Sequence, residues 1–426
     1  MTLAGFVVKI RPSANPLRNR EIELSTEIQN QIEKIRTGAV DLITEKEFEA
    51  KLARSLKEKK PLRIKYGADP SAPDLHLGHT VPLRKLRQFQ ELGHLVVFII
   101  GDFTARIGDP SGRSETRPML SQAEVRRNAE TYQEQVFRIL DQDKTEVHYN
   151  SEWLESMTAV HFLDLTSKYT VARLLERDDF EKRHKAGQPI ALVEFLYPLL
   201  QGYDSVMIRS DVEIGGTDQK FNLLVGRELQ REWKCEPQIV LTLPLIEGTD
   251  GVQKMSKSLG NHIALKDSPK EMYGKIMSLP DALMERYYRY VAPLDSREAD
   301  SLLKELASGG LHPRAAKARL AFEIVKEYHS EKEAEEAGQE FDRVFKDKGV
   351  PEKIETVRLK EKEMNILNLL KETGLAPSKM EAKRLVSQGG VRIDSEKISD
   401  EQFVVRLEKP VLIQCGKRRF VRVIGT

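Results

Sequence analysis

Apolar runs alternate with amphipathic stretches in the first part of the chain, and this pattern predicts strands that alternate with helices. LRIKYGADP (62–70) is typical of a short strand ending in a turn, and residues 78–92 carry apolar side chains at helical spacing before Gly93. HLVVFIIGD (94–102) is nearly continuous and β-branched, as in a strand buried on both faces of a parallel sheet. Together these elements predict a β-α-β unit and an α/β fold with a Rossmann-like parallel sheet.

The pattern continues with strands at 211–216 and 238–246 and becomes helical and charged after about residue 265. Ser121 and Glu124 have the spacing of a capping box and predict the start of a long helix. We predict five segments. They are a leader over 1–35, left open as ordered or disordered, a Rossmann-like domain over 36–264 with a helical insertion at about 119–210, an α-helical domain over 265–348, a linker over 349–363, and a small α+β domain over 364–426.

Composition limits the class of protein. The 426 residues are 31% charged, contain no apolar run of the roughly 20 residues that a membrane span needs, and do not begin like a signal peptide. Cys235 and Cys415 are far apart and offer no disulfide framework. We therefore predict a cytoplasmic protein with no membrane partner. Residues 351–426 carry 16 Lys and Arg against 11 Asp and Glu, a mild indication of nucleic-acid binding.

Two histidines, His76 and His79, flank Gly78 where the first predicted strand passes into its helix. The pair has three interpretations: a metal site, a core pair, or a phosphate site. A metal site needs three or four ligands, and no cysteine or carboxylate cluster accompanies the pair in sequence. The helix N-terminus offers free N–H groups and a partial positive charge, and Gly78 leaves room for a phosphate-bearing ligand. Position therefore favours the phosphate interpretation.

The second motif is KMSKS, in the polar loop EGTDGVQKMSKSLGN (247–261). Alone, such a loop is typical of a solvated turn, and it lacks the GxxxxGK[ST] form of a phosphate-binding P-loop. Combined with HLGH upstream, however, it resembles the HIGH and KMSKS signatures of class I aminoacyl-tRNA synthetases, with Leu77 in place of the isoleucine.

Three further stretches resemble the tyrosyl-tRNA synthetase family, and the likeness covers nearly the whole chain after about residue 35: GDPSGRSETR (108–117), YPLLQGYDS (197–205) and IGGTDQKFN (214–222). The tryptophan enzymes share the fold but are not expected to carry this Tyr-x-x-x-Gln-x-x-Asp string. The resemblance implies that the chain activates L-tyrosine with ATP, releases pyrophosphate, and transfers tyrosine to the 3′ end of tRNA(Tyr).

Tyr197, Gln201 and Asp204 are spaced to project from one face of one helix. A stripe at this spacing usually belongs to a core, but a core stripe is apolar, whereas this one needs polar partners. The resemblance implies that Asp109, Tyr197 and Gln201 hold the substrate ammonium, that Asp204 accepts from the substrate phenol, and that Gln219 faces the substrate carboxylate.

The resemblance also implies which residues act on ATP. The catalytic set is His76, His79, Lys254, Lys257, Arg113 and Arg117. The ATP-binding set is Gly67, Asp69, Gly78, Gly216, Asp218, Lys254 and Lys257. Mg²⁺ is expected on the ATP phosphates rather than in a cage of protein ligands, so no metal-binding residue is predicted.

One position departs from the better-known branch of the family. There the strand before the proline turn carries a tyrosine that also contacts the substrate phenol, and Lys65 aligns with that place, with Tyr66 shifted by one. The chain resembles the other bacterial branch, which has KxGADP. The role of the phenol contact is assigned to neither residue.

The C-terminal segment NILNLLKETGLAPSKMEAKRLVSQGGVRID resembles an RNA-binding motif of a small-subunit ribosomal protein. Its candidate RNA-binding residues are Lys379, Lys383, Arg384 and Arg392. The alternative is a solvated basic helix. The resemblance implies a homodimer in which tRNA bridges the subunits, with anticodon recognition by the helical domain.

Two other functions remain open from the residues. One is a nucleotidyltransferase that adenylates a metabolite, which the KMSKS loop and the basic tail disfavour. The other is an RNA-binding protein that has lost catalysis, which would predict erosion of residues such as His76 and Lys254, and both are present.

Overall fold

A computed structural model describes residues 16–70, 74–110, 121–345, 354–394, 396–416 and 419–425. These residues form two compact units, the first ending at Tyr328 and the second beginning at His329. Among the described residues, no helix is both long and apolar enough to span a membrane.

The first unit contains a sheet of six described strands: β1 Asp41–Ile43, β2 Arg63–Ala68, β3 Leu95–Ile100, β4 Thr145–Tyr149, β5 Val212–Gly216 and β6 Ile239–Leu243. Its helices are α1 Pro16–Arg36, α2 Glu45–Glu58, α3 Leu77–Glu91, α4 Thr104–Ile107, α5 Gln122–Val136, α6 Ser151–Leu154, α7 Ala159–Ser167, α8 Val171–Leu174, α9 Asp178–Lys185, α10 Leu192–Met207, α11 Lys220–Glu232, α12 Pro269–Met277, α13 Met284–Tyr290, α14 Ser296–Ala307 and α15 Pro313–Tyr328.

The strand order is β1-β6-β5-β2-β3-β4, and neighbouring strands are parallel except for β1 and β6. The predicted α/β class with a Rossmann-like sheet is therefore confirmed. The chain order reverses between β2 and β5, so the crevice beyond their carboxyl ends is the usual ligand position of such a sheet. The segment after β2 leads into the HLGH motif, and β5 ends at Gly216.

The apolar pattern correctly predicted the elements at the centre of the sheet. All residues of β3 after Leu95 are buried, as expected for a strand covered on both faces. Ser121 is the N-cap of helix α5. Its side chain accepts from the Glu124 N–H, and the Glu124 carboxylate accepts from the Ser121 N–H, so the predicted capping box is present.

Much of the predicted leader forms helix α1. Ile28, Ile32 and Ile35 are buried, and their spacing places them on one helix face, where α1 packs against α2 and α3. Residues 16–35 therefore belong to the first unit and do not form a separate leader, because this apolar stripe requires a surface to cover it. Residues 1–15 of the predicted leader lie outside the described residues.

The sequence pattern did not indicate the two edge strands. Strand β4 (TEVHY) lies within the predicted helical insertion, and all of its residues are only partly buried. Strand β1 is three residues long and pairs antiparallel with β6. An edge strand has a neighbour on one side only, so neither sequence carries the continuous apolar run of a central strand.

The predicted helical domain does not form a unit of its own, since helices α12 to α15 belong to the first unit. The second unit contains the helices α16 Glu331–Phe345, α17 Ile366–Glu372 and α18 Lys379–Ser387. Its strands are β7 Thr356–Leu359, β8 Glu363–Asn365, β9 Val391–Ile393, β10 Glu396–Ile398, β11 Val404–Arg406, β12 Val411–Cys415 and β13 Arg419–Gly425. Strand β7 lies in the predicted linker and pairs in parallel with β13, so residues 356–359 are part of this α+β unit.

Candidate active site

A cavity of about 320 Å³ opens at the carboxyl ends of β2 and β5, where the strand order reverses. It brings together most of the residues predicted from the sequence to bind tyrosine or ATP. Those that line it are Gly67, Asp69, His76, Gly78, His79, Asp109, Tyr197, Gln201, Asp204, Gly216, Asp218, Gln219 and Lys254.

The two histidines lie at the N-terminus of α3, with His76 as its N-cap and His79 in the first turn. Their ring centroids are 3.8 Å apart, and the Nδ1 atom of His79 accepts a hydrogen bond of 3.1 Å from the His76 N–H. A Cβ atom on Gly78 would lie 3.0 Å from Nδ1 of His76, so a larger residue would push the His76 ring by a few tenths of an ångström and disturb this stacking.

Both imidazoles are uncharged near neutral pH. Burial lowers the pKa of His76 to about 2 and that of His79 to about 4, and the nearby Lys257 charge adds to both shifts. Because Nδ1 of His79 is an acceptor, its proton sits on Nε2 and can be donated to a ligand. Nδ1 of His76 is buried and has no hydrogen-bond partner among the described residues.

The KMSKS loop lies on the other side of the cavity. Lys254 Nζ is 2.9 Å from Asp218 Oδ2, and Lys257 Nζ is 3.7 Å from Asp74 Oδ2. Buried Asn261 fixes the loop, since its Oδ1 accepts from the Ser256 N–H at 2.8 Å. The two predicted phosphate motifs therefore face one cavity.

The deeper part of the cavity is lined by hydrogen-bonded polar side chains. Tyr197 Oη donates to Asp69 Oδ2 at 2.8 Å, and Thr104 Oγ1 donates to the other oxygen of the same carboxylate at 2.7 Å. Gln219 Nε2 donates to Asp109 Oδ2 at 2.7 Å. These contacts hold carboxylates in fixed positions on a concave wall, where they can accept from a ligand cation.

Asp204 is a deeply buried carboxyl group of this wall, at 3% exposure. Trp153 Nε1 donates to its Oδ1 at 2.8 Å, and Asn150 Nδ2 lies 3.4 Å from its Oδ2. Burial raises the pKa of Asp204 to about 7, although the Lys65 charge and these two donors oppose the shift.

Comparison with known proteins decides the family. The model for tRNA synthetases class I (W and Y) matches residues 57–346, and that for the SYY-like C-terminal domain of tyrosine–tRNA ligase matches residues 343–423. The chain is 52% identical over 401 residues to a tyrosine–tRNA ligase of Moorella thermoacetica, covering 94% of this chain and 97% of that one. It is 55% identical over 397 residues to that of Thermotoga maritima, covering 93% and 98%.

The chain belongs to the tyrosine–tRNA ligase family.

Solved structures of this family share the fold. A C-terminally truncated mitochondrial tyrosyl-tRNA synthetase of Aspergillus nidulans matches 77% of this chain and 100% of its own, with a TM-score of 0.62 and 23% identity. The Archaeoglobus fulgidus tyrosyl-tRNA synthetase, solved as a complex with L-tyrosine, matches 73% of this chain and 99% of its own, with a TM-score of 0.59 and 23% identity.

Within this synthetase fold, Lys65 and Tyr66 point in different directions. Tyr66 lines the cavity and packs against Phe98, with ring centroids 5.8 Å apart. Lys65 is fully buried and pairs with Glu213 at 2.8 Å. The strand alternation of β2 explains the difference, since successive side chains leave opposite faces of the sheet.

Sequence reasoning missed several residues of the site: Thr104, Asn150, Trp153 and Glu213. Asn150 and Trp153 follow β4, the edge strand that the apolar pattern does not indicate. Thr104 begins the short helix α4, and nothing in the sequence distinguishes it from its neighbours. Arg113 and Arg117, predicted for the synthetase's pyrophosphate, lie outside the described residues.

The candidate RNA-binding residues lie in the second unit, and all four are exposed. Lys379, Lys383 and Arg384 are on α18, and Arg392 is on β9. Lys383 pairs with Glu401 at 2.9 Å and Arg384 with Glu381 at 2.7 Å. Exposed ion pairs of this kind contribute little stability, so they can be exchanged for phosphates.

Proposed function

We propose that the cavity activates L-tyrosine with ATP and that the enzyme then transfers the tyrosyl group to the 3′ end of tRNA(Tyr). The observation that carries the proposal is one cavity with the HLGH and KMSKS motifs at its phosphate side and a buried carboxyl group, Asp204, at its other end. A membrane-independent reaction of this kind takes place in the cytoplasm, where tRNA is charged.

Tyrosine binds with its phenol toward Asp204 and its ammonium toward Tyr197, Gln201 and Asp109. Asp204 accepts from the phenol hydroxyl, while the ammonium supplies donors to the carboxylate and the amide oxygen. Gln219, held by Asp109 at 2.7 Å, faces the substrate carboxylate. Phenylalanine would leave the buried Asp204 without its hydroxyl partner, and an unpaired buried polar group is costly.

In the first step, an oxygen of the tyrosine carboxylate attacks the α-phosphorus of ATP. The bond from that phosphorus to the bridging oxygen breaks, and pyrophosphate leaves with the electron pair. Gly67, Asp69, Gly216 and Asp218 hold the nucleotide, with Asp218 accepting from a ribose hydroxyl. Positioning and charge stabilisation account for the rate, since no covalent protein intermediate is needed.

The phosphates are stabilised by two kinds of donor. His79 donates from its Nε2–H as a neutral imidazole, and His76 lies against it on the same rim. Lys254 and Lys257 supply the positive charge, which requires Lys254 to exchange its Asp218 contact for a phosphate. Arg113 and Arg117 are assigned to the pyrophosphate by resemblance alone.

Mg²⁺ enters as part of the ATP substrate. Within the described ranges, no three His, Cys, Asp or Glu side chains are grouped so that they could hold a metal ion. The phosphates themselves would carry Mg²⁺ and its waters, as is usual for this ion. It would neutralise phosphate charge, and no step here depends on a protein ligand for it.

In the second step, a ribose hydroxyl of the terminal adenosine of tRNA attacks the tyrosyl carbonyl carbon, gives up its proton, and AMP leaves. The second unit binds the tRNA backbone through its exposed cations, namely Lys379, Lys383, Arg384 and Arg392. Such contacts position RNA without reading its sequence.

The working enzyme is a homodimer. Helix α7 exposes Val160 and Leu163, which are 73% and 67% exposed. Leu163 also lines an apolar groove, together with Phe103, Leu154, Met157, Ala159, Phe162 and Leu200. An apolar surface of this kind on a monomer indicates a protein partner, and a second copy supplies the same apolar residues.

ATP–pyrophosphate exchange with each of the twenty amino acids tests the proposal. Exchange with tyrosine alone is expected, followed by charging of tRNA(Tyr). Exchange with tryptophan in place of tyrosine would overturn the tyrosine assignment. So would the absence of exchange with all twenty amino acids, which is the result expected of an enzyme that adenylates a metabolite. Exchange without charging would overturn the role of the second unit.

A further inference from the structure

Lys65 is a buried cation behind the wall of the cavity. It lies on β2, and its register partner on the parallel strand β5 is Glu213, so both side chains leave the same face of the sheet. Their side chains are 0% and 1% exposed, and Lys65 Nζ is 2.8 Å from Glu213 Oε1. Lysine and glutamate are seldom buried so fully unless they are paired.

The ammonium of Lys65 has no donor left for a ligand. It donates to the backbone oxygen of Gln201 at 2.8 Å and to Ser205 Oγ at 2.7 Å, in addition to Glu213. An ammonium group has three donors, and these three acceptors use them all. Lys65 therefore cannot replace the phenol-binding tyrosine that stands at the aligned position in the better-known branch of the family.

The acceptors of Lys65 identify what it holds. Gln201 and Ser205 lie one turn apart on α10, and Asp204 lies between them on the same helix. Glu213 is held in turn by Ser205 Oγ at 3.1 Å and by the side-chain amide of Gln238. The cluster thus connects β2 and β5 to the turn of α10 that carries two side chains of the tyrosine pocket.

We propose that Lys65 is a positioning residue for tyrosine: its buried ammonium fixes the α10 turn that bears Gln201 and Asp204, without touching the substrate. The inference rests on the proposed function, because it takes these two side chains as tyrosine ligands. It assigns to Lys65 a role different from that of the aligned tyrosine, which contacts the ligand directly.

The charge of Lys65 also acts on Asp204. The ionisable groups that act on Asp204 include Lys65 from β2, which lowers its pKa, and Glu213 from β5, which raises it; Trp153 and Asn150 donate to it. Tyr197, on the same helix, is also coupled to Asp204, whose charge helps to raise the pKa of the Tyr197 phenol. Removing only the cation leaves Glu213 unopposed, so protonation of Asp204 becomes easier. The pH at which tyrosine binding reaches its full strength should then move upward.

The experiment measures KM for tyrosine and for ATP in pyrophosphate exchange, across pH, in the full-length enzyme. Lys65→Met removes the donors, and Lys65→Met combined with Glu213→Gln removes them without leaving a buried charge. We expect tyrosine KM to rise about tenfold or more in both variants, because charge-assisted hydrogen bonds are lost. The KM for ATP should change by less than about twofold.

Lys51→Met is the matched control. Lys51 is also a buried lysine, 1% exposed, and pairs with Asp211 at 3.1 Å and with Glu236 at 3.4 Å, away from the cavity wall. It should lower stability without moving the tyrosine KM. If Lys51→Met raised tyrosine KM as much as Lys65→Met, the effect would be general destabilisation and the inference would be wrong.

The other outcomes also decide the question. A tyrosine KM that stays within about twofold of the wild type in both Lys65 variants overturns the inference. The inference is also overturned if tyrosine KM rises in the single variant but not in the double variant, since then only the unpaired Glu213 charge matters.

If neither variant folds, the variant Ser205→Ala can be used instead. It removes one acceptor alone and should raise tyrosine KM about fivefold; an unchanged KM would overturn the inference. Wild-type enzyme without tyrosine exchange would instead refute the proposed function.

Discussion

The substitution Asp204→Asn tests whether the carboxyl group at the end of the proposed tyrosine pocket is held ionised although its burial favours the protonated form. Asp204 is 3% exposed, and burial raises its pKa from 3.8 to about 7. Each unit of pKa shift corresponds to about 1.4 kcal/mol, so the ionised form costs the folded protein roughly 4 kcal/mol at high pH. An asparagine at this position carries no charge and therefore avoids this cost.

The sign of the pH dependence follows from the direction of the shift. Because the folded pKa lies above the unfolded one, the protonated carboxyl contributes stability below about pH 4, and this contribution is lost as pH rises to about 7. Between about pH 5.5 and pH 8, the wild type should lose roughly 2 kcal/mol of unfolding free energy through this group. The Asp204→Asn variant should lose nothing through it.

Urea unfolding followed by tryptophan fluorescence measures this difference. The chain has two tryptophans, Trp153 and Trp233, and both lie in the first unit, so the signal reports that unit. The quantity compared is the change in unfolding free energy between the two pH values, in each protein. Other titrating groups contribute equally to both proteins and cancel. An equal change in wild type and variant would refute the raised pKa of Asp204.

Three further predictions address the remaining parts of the proposal. His76→Ala or His79→Ala should lower the rate of adenylate formation about 100-fold or more, with tyrosine KM nearly unchanged; a variant impaired mainly in tyrosine binding would contradict the phosphate role. Lys379→Glu with Lys383→Glu should raise the KM for tRNA, most strongly at low salt, and leave pyrophosphate exchange intact; equal loss of exchange would indicate misfolding. Leu163→Glu should convert the dimer into monomers in sedimentation, and a wild type that already sediments as a monomer would contradict the dimer.

The centre of the sheet could be predicted from sequence because burial alone sets the spacing of its apolar residues. Strand β3 is covered on both faces, so its apolar run is continuous, and α3 shows helical spacing between a turn and Gly93. Residues of the HLGH and KMSKS motifs line one cavity for a related reason. A parallel sheet gathers the segments that follow its strands at one edge, whatever their separation in sequence.

Other elements depend on partners that a local pattern does not record. Strand β4 exists because β3 offers it an edge, and its own residues TEVHY alternate too weakly to indicate a strand. Asn150 and Trp153 reach Asp204 only because β4 brings them there. Helix α1 is a different case, since the spacing of Ile28, Ile32 and Ile35 was present in the sequence and predicts a buried face.

Lys65 shows why a buried charge cannot be located from sequence. A lysine in an apolar strand has several explanations, and only the register of β2 against β5 places it opposite Glu213. Replacing such a pair by apolar residues of similar size is often neutral or stabilising, so stability alone does not account for it. Stability does not account for Asp204 either, because its ionised form lowers stability at high pH.

The buried Lys65–Glu213 pair and the buried Asp204 carboxyl group both have an explanation if tyrosine is the ligand. A phenol differs from a phenyl ring by one hydroxyl. A buried acceptor without access to water discriminates strongly between them, because a ligand that lacks the hydroxyl leaves that acceptor unpaired. Under the proposed function, Asp204 would be this acceptor, and Lys65 would be the nearby cation that favours its ionised form and fixes the helix turn that presents it.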